Sequence, residues 1–126
     1  MAERRNTIQL DAVRNAIQDA GRPLSIDEIL IEASRQVKTL GLRTVYRIIR
    51  KLEDQNEITA VTLTSQPDRY ELTSVAEHHH HHFLCNKCDR LYDIPGCPGR
   101  LEKMLPDGFV LQEHELTLKG LCNACA

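Results

Sequence analysis

Tryptophan is absent from this 126-residue sequence, and three tyrosines and two phenylalanines are its only other large rings. A core without large rings must be built from aliphatic side chains. So short a chain has room for one ordinary domain or two small ones. Small halves of that kind gain stability from a bound metal or a second copy of the chain. No run of about 18 apolar residues occurs, which excludes a helix spanning a bilayer. Arg4 and Arg5 are followed by no apolar stretch, so no secretory leader is expected and the expected compartment is the cytoplasm.

A strong excess of charge is also missing: the net charge is -2. That sum conceals an asymmetry. Residues 1–57 carry ten Lys/Arg and nine Asp/Glu, whereas residues 58–126 carry six and nine. From Arg35 to Lys51 there are six basic residues and no acidic one. A local basic stripe bears more on nucleic-acid binding than the whole-chain total.

Leu10, Val13, Ile17 and Ala20 recur at helical spacing, and Gly21 ends that run. Ser25 and Glu28 stand three apart, as in a capping box, ahead of a second helix with Ile26, Ile29, Leu30 and Ala33 on its apolar face. A third helix is expected from about Leu42 to Gln55, with Val45, Ile48, Ile49 and Leu52 inward and Asn56 as a left-handed stop. The period then changes to two. Ile58–Thr64 and Arg69–Leu72 read as strands about a Ser65-Gln66-Pro67-Asp68 turn. Three helices and a hairpin are the order of a winged helix-turn-helix. A boundary is expected near Thr73–Glu77, dividing a DNA-binding domain at 1–74 from a second domain at 75–126. In that second part, strands are expected at His80–Leu84, Leu91–Ile94, Phe109–Leu111 and Glu115–Leu121, with a short helix at Arg100–Leu105.

On the third helix Arg43, Tyr46, Arg47 and Arg50 fall at i, i+3, i+4 and i+7. They make one polar face opposite the apolar one. Arginine can read guanine edges or hold phosphates, and tyrosine can meet a thymine methyl or a phosphate. A solvated basic face is the plainer reading of such a helix, and the flanking helix and hairpin weigh against it.

Four of the five cysteines form two Cys-x-x-Cys pairs, Cys85/Cys88 and Cys122/Cys125, with 33 residues between the pairs. Two such knuckles can close a tetrahedral four-thiolate site, the arrangement of structural zinc, with no open position for catalysis. Five consecutive histidines, His78 to His82, precede the first knuckle. On a strand, alternate residues face opposite sides. His80 and His82 would face one way and His79 and His81 the other, so one strand can serve two metal sites. Imidazole suits zinc, iron and nickel alike, so the residue type does not name the metal.

Leu42-Arg43-Thr44-Val45-Tyr46-Arg47, the His78–His82 run, both knuckles and His114, eight before Cys122, are the matching motifs. With them the sequence resembles the ferric uptake regulator (Fur) family over nearly its whole length, most of all its zinc uptake regulator (Zur) branch. The resemblance implies an α+β fold: an N-terminal winged helix-turn-helix that reads DNA and a small α/β C-terminal domain that dimerises. It implies a metal-responsive repressor, a homodimer on near-palindromic double-stranded operator DNA, with no membrane partner and no small organic substrate. Carried over, Cys85, Cys88, Cys122 and Cys125 match the structural zinc ligands. His80 and His82 match the sensing-site histidines, with Asp93 at an acidic ligand position and Glu71 a further match displaced by two extra residues. His79, His81 and His114 match an additional site that Glu102 could complete. Arg43, Thr44, Tyr46, Arg47 and Arg50 fall on the DNA-reading helix.

Two departures point toward zinc as the sensed ion, with iron as the alternative. Pro23 stands where iron and peroxide sensors carry a histidine. Cys97, nine after Cys88 in a Cys-Pro pair, resembles the zinc branch; a ligand, a redox thiol and merely a loop residue are its open roles, the loop residue the plainest of them. An iron- or peroxide-responsive regulator is the rival within the family. A zinc hydrolase or deaminase would need an open metal position and a general base, and neither HExxH nor H-x-E with P-C-x-x-C is present. The expectation is that the protein is not an enzyme. A zinc buffer or metallochaperone would leave the arginine face of the third helix without a role.

Overall fold

The computed structural model describes residues 2–126. The chain is α+β and divides into two compact units, Met1–His78 and His79–Ala126. The division falls beyond the expected 74/75 boundary, after a short helix.

The first unit opens with α1 (Ala2–Ala20), which stops at Gly21 in the left-handed region, φ 64°. A two-residue strand, β1 (Leu24–Ser25), precedes α2 (Ile26–Ser34). The capping box is present in full: Glu28 N–H donates to Ser25 Oγ, and Ser25 N–H donates back to the Glu28 carboxylate. Two of the orphan donors at the helix start are thereby satisfied. Burial alone would push the Glu28 carboxyl up, but the Arg22 guanidinium and the Ser25 donors hold it below its ordinary value.

Helix α3 (Leu42–Asp54) buries Val45, Ile48, Ile49 and Leu52, the expected apolar stripe. It ends at Asn56, whose φ of 59° is the left-handed stop anticipated from the sequence. These four side chains pack with Val13, Ile17, Leu24, Ile29, Ile58 and Tyr70 in one core. Each fully buried aliphatic side chain contributes about 1.5–3 kcal/mol. Arg14 on α1 grips Glu57 through two hydrogen bonds of 2.8 and 3.1 Å, clamping the end of α3 to the first helix.

Strands β2 (Ile58–Val61) and β3 (Arg69–Leu72) form the hairpin, antiparallel, with Ile58 opposite Leu72 and Val61 opposite Arg69. β2 stops three residues short of the expected Thr64, because Thr62–Asp68 is spent on the turn. β1 pairs on the far side of β3, giving the order β1-β3-β2. A short helix, α4 (Thr73–Ala76), ends the unit.

The second unit is a three-stranded sheet of order β5-β4-β6. The central strand β4 (His81–Cys85) pairs antiparallel with β5 (Leu91–Ile94) and parallel with β6 (Thr117–Gly120). Gly120 faces the Phe83 ring, where a Cβ would sit 3.3 Å from the ring carbon Cζ, so a side chain there would be crowded. The expected strand at Phe109–Leu111 is not formed. Among the described residues that segment pairs with no strand of the sheet, and an extended segment without a ladder partner does not count as one. The expected helix at Arg100–Leu105 is one 3-10 turn, Leu101–Met104, entered through Arg100 in the left-handed region.

Candidate metal centres and nucleic-acid face

Helix α3 turns Arg43, Tyr46, Arg47 and Arg50 outward, exposed, with Thr44 half-buried beside them. Tyr46 is 53% exposed although it is a large ring on a helix with a well-packed opposite face. The hairpin's exposed turn, with Pro67 and Asp68, and the first residues of α2 line a cavity beside Tyr46.

Cys85 ends β4, Cys88 follows in the turn after it, and β6 returns the chain so that Cys122 and Cys125 lie against them. The register fixes this meeting: Cys85 is opposite Gly120, and Asn86 N–H donates to Gly120 O at 2.8 Å. The four Sγ atoms lie within 4.8 Å of one another, and Cys88 Sγ to Cys122 Sγ is 3.8 Å. A tetrahedron with zinc–sulfur bonds of about 2.3 Å has edges of about 3.8 Å, so the donor set fits zinc. The backbone prepares the Cys85 sulfur as an anion. Cys88 and Cys122 N–H groups donate to Cys85 Sγ at 3.5 and 3.4 Å and pull that thiol down to about 6. Cys125, hydrogen-bonded to Cys122 and half-buried, is pushed up to about 12.

His82 stands directly opposite Asp93 across β4 and β5, so the two share a face of the sheet. His80, two residues earlier, shares it too. Their Nε2 atoms lie 3.4 Å (His80) and 3.3 Å (His82) from one oxygen, Asp93 Oδ1. Donor–donor separations of about 3.3 Å are those of nitrogen and oxygen ligands around a tetrahedral zinc. Glu71, expected with this set, belongs to the first unit, where it is buried on β3.

The opposite face carries His79 and His81, with ring centroids 4.7 Å apart, and His114 4.9 and 5.0 Å from them. Burial, and then the neighbouring His79 and His114, hold the His81 imidazole below its ordinary value, so it is neutral near pH 7. The fourth donor within reach is Cys97, whose Sγ is 3.3 Å from His114 Nε2. Glu102, the expected fourth donor, is instead exposed on the 3-10 turn and belongs to none of the donor sets among the described residues. The left-handed Arg100 turns the chain between Cys97 and Glu102, and the helix expected to carry Glu102 inward is too short. The nine-residue spacing from Cys88 was the available signal for Cys97, and it left three roles open. Pro23 is fully buried and offers no donor atom.

The ferric uptake regulator family model matches residues 2–119. The ferric uptake regulation protein of Bordetella parapertussis is 29% identical over 107 residues, covering 82% of this chain and 76% of that protein. The solved ferric uptake regulator of Helicobacter pylori, described as having three functional metal-binding sites, is 26% identical. It superposes with a TM-score of 0.67 over 93% of this chain and 79% of that one. A zinc-bound manganese uptake regulator, 23% identical, shares the fold with a TM-score of 0.77 over 90% of this chain and 87% of its own.

Proposed function

The chain belongs to the ferric uptake regulator family of metal-responsive, DNA-binding transcription regulators, and from that premise we propose a zinc-sensing repressor that works as a homodimer. Members of this family are transcription regulators, not enzymes. The observation that carries the DNA side of the reading is α3, with four aliphatic side chains buried and Arg43, Tyr46, Arg47 and Arg50 exposed beside a hairpin. Two such helices related by a two-fold axis would meet symmetric half-sites in a near-palindromic operator.

Cys85, Cys88, Cys122 and Cys125 would hold a structural zinc, which supplies folding free energy. His80, His82 and Asp93 would hold the sensed ion, with Glu71 the further ligand that the family resemblance implies. Zinc is favoured over ferrous iron because Pro23 removes the imidazole that iron sensors of the family place before the second helix. The smaller set suits a tetrahedral ion better than an octahedral one.

The test is an operator titration at buffered free zinc and, separately, buffered ferrous iron. Zinc should tighten binding about 5–150-fold, the range of a 1–3 kcal/mol coupling. The His80→Ala/His82→Ala variant should lose that response and keep its four-cysteine zinc. Iron tightening binding where zinc does not would replace this reading with an iron regulator. No response to either metal would remove the sensing role.

A further inference from the structure

The second face of the histidine strand carries its own donor set. His79 and His81 come from the strand entry, Cys97 from the Pro95–Gly99 loop, and His114 from the stretch ahead of β6. All four donor atoms lie within 4.8 Å of one another. His81 is 2% exposed, and its Nε2 has no hydrogen-bond partner although it lies among these donors. A buried nitrogen lone pair left without a donor is costly, and an ion bound among these residues removes that cost. Among the described residues, two further imidazoles and one thiol converge on it, and no carboxylate oxygen joins them.

We propose that Cys97, in place of a carboxylate, supplies the fourth ligand of the additional family site at His79, His81 and His114, and so makes it a closed site of three imidazoles and one thiolate, selective for zinc or cobalt over manganous and ferrous ions. Sulfur sets that preference: thiolate is a soft ligand that suits zinc, whereas manganese is suited by carboxylate and water oxygens. Four protein donors complete a tetrahedron, so no open position remains for chemistry. The ion would tie together three segments of the second unit. Two of them, the Pro95–Gly99 loop and residues 109–116, lie in neither helix nor strand. The site is separate from the sensing set and does not depend on which metal that set reads.

Cobalt distinguishes this site from its neighbours, because a sulfur-to-cobalt charge-transfer band reports a thiolate ligand. Cobalt is added stepwise, without oxygen, to full-length protein that holds its four-cysteine zinc, and zinc retention is measured in the same samples. His80, His82 and Asp93 contain no sulfur, so cobalt there gives no such band. The wild type should develop the band, Cys97→Ser should lack it, and Glu102→Gln should retain it. Cys97→Ser should also weaken this site by about tenfold or more. Zinc should displace the bound cobalt, and manganese should not. Retained zinc and an unchanged circular dichroism spectrum establish that Cys97→Ser is folded; should it not fold, Cys97→Asp, which keeps a donor but no sulfur, serves in its place. A wild type without the band, or a band that survives loss of the Cys97 sulfur, overturns the assignment.

Discussion

The two units are held together in different ways. Among the described residues, the first buries fourteen apolar side chains in one cluster, from Ala12 on α1 to Tyr70 on β3. The second buries four, Leu84, Cys85, Leu91 and Cys122, and two of those are knuckle cysteines. At about 1.5–3 kcal/mol for each large side chain, burial contributes several times more to the first unit than to the second. Chains as small as the second unit usually depend on metals or association. On the function proposed above, one unit would fold by excluding water and the other with the help of ligation.

The sharpest way to break that contrast is to remove a sulfur. Cys122→Ser should release the structural zinc, whose apparent contribution in small metal-folded domains is about 10–16 kcal/mol. Hydrogen exchange should then show β4, β5 and β6 amides unprotected while α1, α2 and α3 stay protected. Loss of protection in the helices as well would mean that the first unit leans on the second.

The converse perturbation is Leu52→Ala, which cuts into the first core at a fully buried position. It should cost about 2–5 kcal/mol in denaturant titrations, with zinc content unchanged. A drop in bound zinc would contradict separate modes of stabilisation.

The smallest expected effect lies in the α2 cap. Ser25→Ala should cost about 1 kcal/mol at neutral pH. Glu28 is held below its ordinary value of 4.5 in the folded state, so its contribution is full above that value. It is lost as pH falls through the lowered folded value. Glu28→Gln should therefore flatten the acid limb of the stability profile, measured by urea titration on either side of 4.5. An unchanged limb would leave the Arg22 and Ser25 contacts without energetic weight.

The same contrast decides what could be read in the sequence. The helices of the first unit were legible because burial imposes a period, and Val45, Ile48, Ile49 and Leu52 display it. β1 was not legible, since Leu24 and Ser25 become a strand only by meeting Tyr70 and Arg69. In the second unit the alternation of the histidines was legible, because it is a local property of an extended chain. Phe109–Leu111 has the composition of a strand but pairs with no other strand among the described residues, and pairing is a matter of tertiary contact that composition does not carry. Cys97 and Glu102 were indistinguishable as donors from spacing alone, because loop closure and the left-handed turn at Arg100 decide which of them arrives.

The histidine run has a further property. A strand normally tolerates no slip, since a shift of one residue moves every side chain to the wrong face. Here the shifted residue is the same residue. His78 belongs to neither donor set. Delete one histidine from the run, and His78 moves up so that all four candidate donor positions still carry imidazole. Insert one, and the result is the same. The two back-to-back sites are thus written in a stretch whose reading frame does not matter, while the knuckles and Asp93 around it each permit a single registration.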